Sequence, residues 1–132
     1  MADQERRAVV VADDDDAMRM LCRVNLELEG YRVLEAASGQ DLDRVLADEE
    51  GVALVLLDIH LGDQDGMDIA RTLRQERPEL PIAFLTGSGF YSRDDADTVG
   101  DATIRKPFTL EELIATVSRL ARTPRSAGPP AR

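Results

Sequence analysis

Residues 8–18 read AVVVADDDDAM, a short apolar run that ends in four consecutive aspartates, Asp13–Asp16. Ala and Val in succession favour a strand buried on both faces. A knot of like charge is a costly way to end one. Two carboxylates about 4 Å apart repel by roughly 4 kcal/mol at an effective dielectric of 20. Either the carboxylates fan out into solvent or something cationic sits among them. After Asp16 the spacing becomes helical: Ala17, Leu21, Val24 and Leu28 share one stripe, and Gly30 is the expected stop.

The same alternation continues along the chain. Arg32–Ala36 (RVLEA) reads as an edge strand, followed by a helix with Ser38 as N-cap and Leu42, Val45 and Leu46 on its apolar side. Val52–Leu57 (VALVLL) is the most apolar segment and the expected central strand, and it too runs into an aspartate, Asp58. The loop HLGDQDG leads into a helix bearing Met67, Ile69, Ala70 and Leu73, which must stop before Pro78. Pro81–Thr86 (PIAFLT) and Ala102–Arg105 are the fourth and fifth strands. Gly87–Gly100 has little helical pattern. Thr109 and Glu112 form a capping box for a last helix carrying Leu110, Leu113, Ile114, Val117 and Leu120.

Strands alternating with helices imply an α/β fold, a parallel sheet covered on both faces with right-handed crossovers. Such sheets bind ligands beyond the carboxyl ends of their strands. Asp13, Asp14, Asp58, Thr86 and Lys106 all follow or end strands, so all five are expected at one sheet edge. The acidic knot becomes one wall of a pocket.

Composition narrows the chemistry. The chain has 132 residues, 43% apolar and 32% charged, which suits one soluble domain over residues 7–122 between tails at 1–6 and 123–132, the latter rich in Pro and Gly. A net charge of −10 weighs against nucleic acid as a partner. The longest unbroken apolar run, Val52–Leu57, is too short to span a membrane, and MADQERR lacks a signal-peptide core, so a cytoplasmic location is expected. Cys22 is the sole cysteine, which excludes an intramolecular disulfide and any multi-cysteine zinc site, and with His60 the sole histidine, Ser-His-Asp or multi-His metal chemistry has almost nothing to build from. Of the 16 basic residues all but Lys106 are arginine.

Three carboxylates at adjacent strand ends need a cation, and a hard divalent ion such as Mg²⁺ fits. Asp58 could then keep an oxygen free to attack phosphorus, giving an acyl phosphate. Lys106, a compact point charge, and the Thr86 hydroxyl would serve the phosphoryl oxygens. Taken singly, each feature also fits an ordinary solvated loop or turn. Their convergence on one edge is what those readings leave unexplained.

VVVADDDDAMR, LVLLDIHLGDQDG, PIAFLTG and IRKPF, in that order and spacing, resemble the receiver domain of two-component response regulators, above all stand-alone ones such as the chemotaxis regulator. The TGSG-Phe run, with no aromatic at Thr103, is also similar to the atypical FATGUY receivers of general stress signalling. The resemblance implies a flavodoxin-like, doubly wound five-stranded parallel sheet of order 2-1-3-4-5 with about five helices, the fourth short or mobile. It makes Asp58 the phosphoacceptor for a histidine kinase or histidine phosphotransfer protein. Mg²⁺ (or Mn²⁺) would be held by Asp14, Asp58 and the His60 backbone carbonyl, with Asp13 acting through water. Thr86 matches the switch hydroxyl, Lys106 the lysine that pairs with the phosphoryl group, and Pro107 a proline usually preceded by a cis peptide. Asp15 and Asp16 match no ligand position.

His60 and Ser88 are the expected tuning positions. Thr103, Ile104 and Pro107 belong to the expected switch and interface region, where the fourth helix, fifth strand and last helix would meet a downstream protein. Thr103 stands where the family usually places a Tyr or Phe, and Gly62 replaces a common loop proline, so a looser loop is expected. Such a module is not an enzyme beyond its own phosphorylation from small donors and slow dephosphorylation. Two other classes compete: a phosphorylation-independent scaffold, and a hydrolase of the haloacid dehalogenase type, which needs an aspartate where His60 stands. No DNA-binding segment is legible after Arg122, so a direct transcriptional role is expected to need further chain.

Overall fold

The computed structural model describes residues 7–87 and 99–122. In chain order the elements are β1 (Ala8–Ala12), α1 (Asp16–Leu28), β2 (Arg32–Ala36), α2 (Gly39–Asp48), β3 (Val52–Asp58), β4 (His60–Leu61), β5 (Gln64–Asp65), α3 (Gly66–Glu76), β6 (Ile82–Thr86), β7 (Ala102–Arg105) and α4 (Leu110–Arg122). The main sheet has five parallel strands in the order β2-β1-β3-β6-β7, which is the expected 2-1-3-4-5 order once the short β4–β5 pair is set aside. The described residues hold four helices rather than about five. The expected additional one falls at residues 88–98, outside the described residues, as do Ser88 and both tails.

Each helix starts where a side chain can accept from its orphan N–H groups. Asp15 caps α1 through Ala17 N and Met18 N, Ser38 caps α2 through Asp41 N, and Asp65 caps α3 through Met67 N. The capping box at the head of α4 is complete: Glu112 N donates to Thr109 Oγ1 at 3.0 Å and Thr109 N to Glu112 Oε1 at 2.9 Å. Gly30, at φ +99°, follows α1 in the left-handed region that lets a chain leave a helix.

Strand alternation divides the core in two. Val10, Val55, Leu57, Ile82 and Phe84 pack beneath α2 and α3, with Leu42, Leu46, Ala70 and Leu73. Val9, Val11, Leu54, Leu56 and Leu85 pack beneath α1 and α4, with Cys22, Leu26, Leu113 and Val117. The central strands are buried on both sides, as their unbroken apolar runs predict.

Two expectations need correction. The stripe Ala17, Leu21, Val24 and Leu28 is not the core face of α1. Leu21, Val24 and Leu28 are exposed, with Met20 beside them, while Cys22 and Leu26 are buried and Met18 packs against them. The helix is apolar on two sides about 130° apart, and the sheet takes the second. The loop after β3 is not loose either. It closes as an antiparallel β4–β5 hairpin around Gly62–Asp63, with Gly62 at φ +65°, a sign the tight hairpin turns require.

Gly66 makes the return from that hairpin possible. A Cβ there would lie 2.3 Å from the Asp58 carbonyl oxygen, so only glycine lets α3 start this close to the end of β3. No helix among the described residues is long and apolar enough to cross a membrane.

Candidate functional site

The described residues bury three polar or charged side chains, Asp13, Asp58 and Thr86, and all three stand at the carboxyl edge of the sheet. Burying such groups is unfavourable unless something satisfies them. Asp13 continues the line of β1, its N–H donating to the Ala36 carbonyl at 3.0 Å. Its carboxylate accepts from Asp15 N–H at 2.9 Å and from Lys106 Nζ at 2.8 Å. Asp58 ends β3. One of its oxygens accepts from His60 N–H at 3.0 Å, the other faces Lys106 Nζ at 3.3 Å. A single ammonium thus sits between the ends of β1 and β3.

Lys106 reaches this place because β7 lies beside β6 in register, with Lys106 N–H donating to the Thr86 carbonyl at 2.7 Å. The Lys106–Pro107 peptide bond is cis, as the resemblance implies. Asp13, Asp14 and Asp58 can each offer an oxygen within 4.8 Å of the others. Three carboxylates against one ammonium leave two negative charges uncompensated, the charge of one divalent ion. The donor set is oxygen only, which suits a hard cation such as Mg²⁺ or Mn²⁺.

The electrostatics agree. Burial raises the Asp58 carboxyl above its ordinary range, and the charge of Asp13 raises it further, against the His60 N–H and Lys106. Burial works to lower the Lys106 ammonium, but hydrogen bonds and charges from Asp13 and Asp58 outweigh it, and the net shift is upward. Cys22, on the buried face of α1, is carried by burial up to about 11 and stays a neutral thiol.

The cleft over these groups has a volume of about 430 Å³ and is bordered also by Gly62 and Gly87. A larger cleft, about 570 Å³, lies at the opposite edge among Arg7, Glu49, Glu50, Arg77 and Glu79, whose mixed charges are not gathered on a buried nucleophile. Size is a poor guide here. The smaller cleft contains the buried carboxylates.

Asp13, Asp14, Asp58 and Lys106 meet at that cleft, and Thr86 ends β6 beside it. The His60 side chain is exposed at the rim. Thr103 is half-buried and pairs in register with Phe84, Ile104 is buried under α4, and Pro107 is exposed. Asp15 borders the cleft while its side chain caps α1, and Asp16 stays out of it, ion-paired with Arg19. Sequence reading missed Arg19, which also reaches the Asp13 carbonyl and Glu35. Its helical spacing from Asp16 was legible, but the contact with β2 was not.

A family model described as the response regulator receiver domain matches residues 9–118. The transcriptional regulatory protein SrrA of Staphylococcus aureus is 33% identical over 120 residues, 89% of this chain and 49% of SrrA. The chain therefore spans about half the length of the curated relatives it matches. Among solved structures, a CheY-like receiver domain protein from Methanospirillum hungatei JF-1 superposes with a TM-score of 0.78 at 26% identity, covering 89% of this chain and 95% of that one. The response regulator TrrA from Thermotoga maritima, solved in complex with Mg²⁺-BeF, gives 0.79 at 27% identity, with 86% and 98% covered. Carried by a match that runs from the first strand into the last helix, the chain belongs to the response regulator receiver domain family.

Proposed function

We propose that the domain over residues 7–122 is a phosphoacceptor switch. Asp58 takes a phosphoryl group from a phosphohistidine on a histidine kinase or phosphotransfer protein, and the modified pocket changes what the surface binds. One observation carries this reading: a buried carboxylate, Asp58, with an oxygen facing the Lys106 ammonium in a cluster short of two positive charges. In the transfer an Asp58 oxygen forms a bond to phosphorus while the histidine nitrogen–phosphorus bond breaks, the electron pair leaving on the imidazole. Asp14, Asp58 and the His60 carbonyl would hold Mg²⁺ or Mn²⁺ directly, and Asp13 through water. That ion, when bound, supplies charge neutralisation for the phosphoryl oxygens.

Lys106, whose Nζ is 3.3 Å from an Asp58 oxygen, would pair with a phosphoryl oxygen, and the Thr86 hydroxyl would report the new charge to β6. His60 at the rim would set access of the attacking water. The exposed stripe of Met20, Leu21, Val24 and Leu28 on α1, which begins beside the acidic turn, favours a protein donor with an apolar helical surface over a small molecule.

Intact-mass spectrometry after incubation with acetyl phosphate tests the reading. One Mg²⁺-dependent phosphoryl adduct is expected in the wild type and none in Asp58→Asn, with the adduct's lifetime altered in His60→Asn. No adduct at any quench time, with cation binding verified, would instead favour a phosphorylation-independent scaffold.

A further inference from the structure

Arg19 lies outside the pocket and is still bound to it. Its Nη1 donates to the Asp13 carbonyl at 2.7 Å, its Nε to Glu35 at 3.0 Å, and its Nη2 is ion-paired with Asp16. The side chain is only 13% exposed. Glu35, near the end of the edge strand β2, is held in turn by Arg23 at 2.8 Å. One planar guanidinium therefore joins three things: the backbone at the head of the acidic turn, the first turn of α1, and the neighbouring strand.

This contact matters because Asp13 is fixed from both ends of the residue. Lys106 and Asp15 N–H hold its carboxylate, and Arg19 holds its carbonyl. The peptide whose carbonyl Arg19 grips leads straight into Asp14, which is exposed and shares the acidic cluster with Asp13 and Asp58. A rotation of that peptide would swing the Asp14 carboxylate away from Asp13 and Asp58. Charge acts in the opposite sense, since a guanidinium behind three carboxylates repels an incoming divalent ion.

We infer that Arg19 is a positioning residue for the divalent-cation site, gripping the Asp13 carbonyl so that Asp13 and Asp14 face Asp58 together. The inference rests on the phosphoacceptor reading of the same pocket. Its two effects on the cation have opposite signs, and this makes it separable from simple electrostatics. If positioning dominates, removing the positive charge weakens cation binding. If charge dominates, removing it tightens binding.

Calorimetric titration of the full chain with Mn²⁺ and with Mg²⁺ decides between them, comparing wild type, Arg19→Met, Arg19→Lys and Arg23→Met. Expected is a loss on the order of tenfold in affinity for both Arg19 variants, because Lys keeps the charge without the fork. Arg23→Met, which leaves the Asp13 contact alone, is expected to bind as the wild type does. Affinity unchanged or tighter in Arg19→Met overturns the inference, as does unchanged affinity in Arg19→Lys, which decides alone should the Met variant not fold. A wild type that binds neither ion overturns this inference and its cation site alike. A wild type that binds and phosphorylates beside unaffected Arg19 variants overturns this inference only.

Discussion

Asp58 is burdened by its surroundings before any reaction. Burial and the adjacent Asp13 raise its carboxyl, so the folded protein holds that proton more tightly than the unfolded chain does. The sign follows directly. The cost to stability is absent below the unfolded carboxyl range, grows as pH rises from there towards the raised value, and is fully present above it without a cation. Asp58→Asn removes it and keeps an oxygen that can accept from His60 N–H. In EDTA at pH 7 the variant is expected to show a higher denaturant midpoint than the wild type, with the gap closing towards pH 4. A variant less stable at pH 7 would mean that the Lys106 pair outweighs burial at this site.

At the scale of elements, α1 is the informative one. Two apolar stripes compete for the sheet, and nothing local to the helix chooses between them. The choice is made by docking: Cys22 and Leu26 face Leu54, Leu56 and Leu113, while Val24 and Leu28 face outward. Truncating Leu26 to Ala is expected to cost about 2–5 kcal/mol, the range for a fully buried leucine. Val24→Ala and Leu28→Ala are each expected to stay within about 0.5 kcal/mol of the wild type. Urea unfolding midpoints at constant slope would check this. The reverse order would return the core to the stripe that helical periodicity picks first.

Across the whole molecule, the pocket exists only when the ends of β1, β3 and β7 come together. Its acidic ligand candidates, Asp13, Asp14 and Asp58, are brought together by the register of β1 with β3. A cation that binds this arrangement and not the unfolded chain stabilises the fold by mass action, about 2.7 kcal/mol at a hundredfold excess over its dissociation constant. For a domain of this size that is a rise of about 10 °C in Tm. Thermal unfolding with and without Mg²⁺ should show the rise in the wild type and lose most of it in Asp14→Asn, whose exposed side chain contributes little to the core. An equal rise in both would place the stabilising ion elsewhere.

Much of this architecture is legible in the amino-acid order because its causes are local. Unbroken apolar runs mark β1 and β3, Ser38 and the Thr109–Glu112 box mark helix starts, and the parallel α/β rule alone sends Asp13, Asp58, Thr86 and Lys106 to one edge. Tertiary structure decided what depends on residues far apart in the chain. It chose the buried face of α1, closed the Gly62 loop into a hairpin, and required Gly66 where α3 passes the Asp58 carbonyl. It also set one ammonium between two carboxylates and tied Arg19 across to Glu35. Periodicity and capping act over about four residues, one helical turn, and so can be read along the chain. Which oxygen lies 2.8 Å from which nitrogen is set by strand register and helix docking, and those exist only in the folded protein.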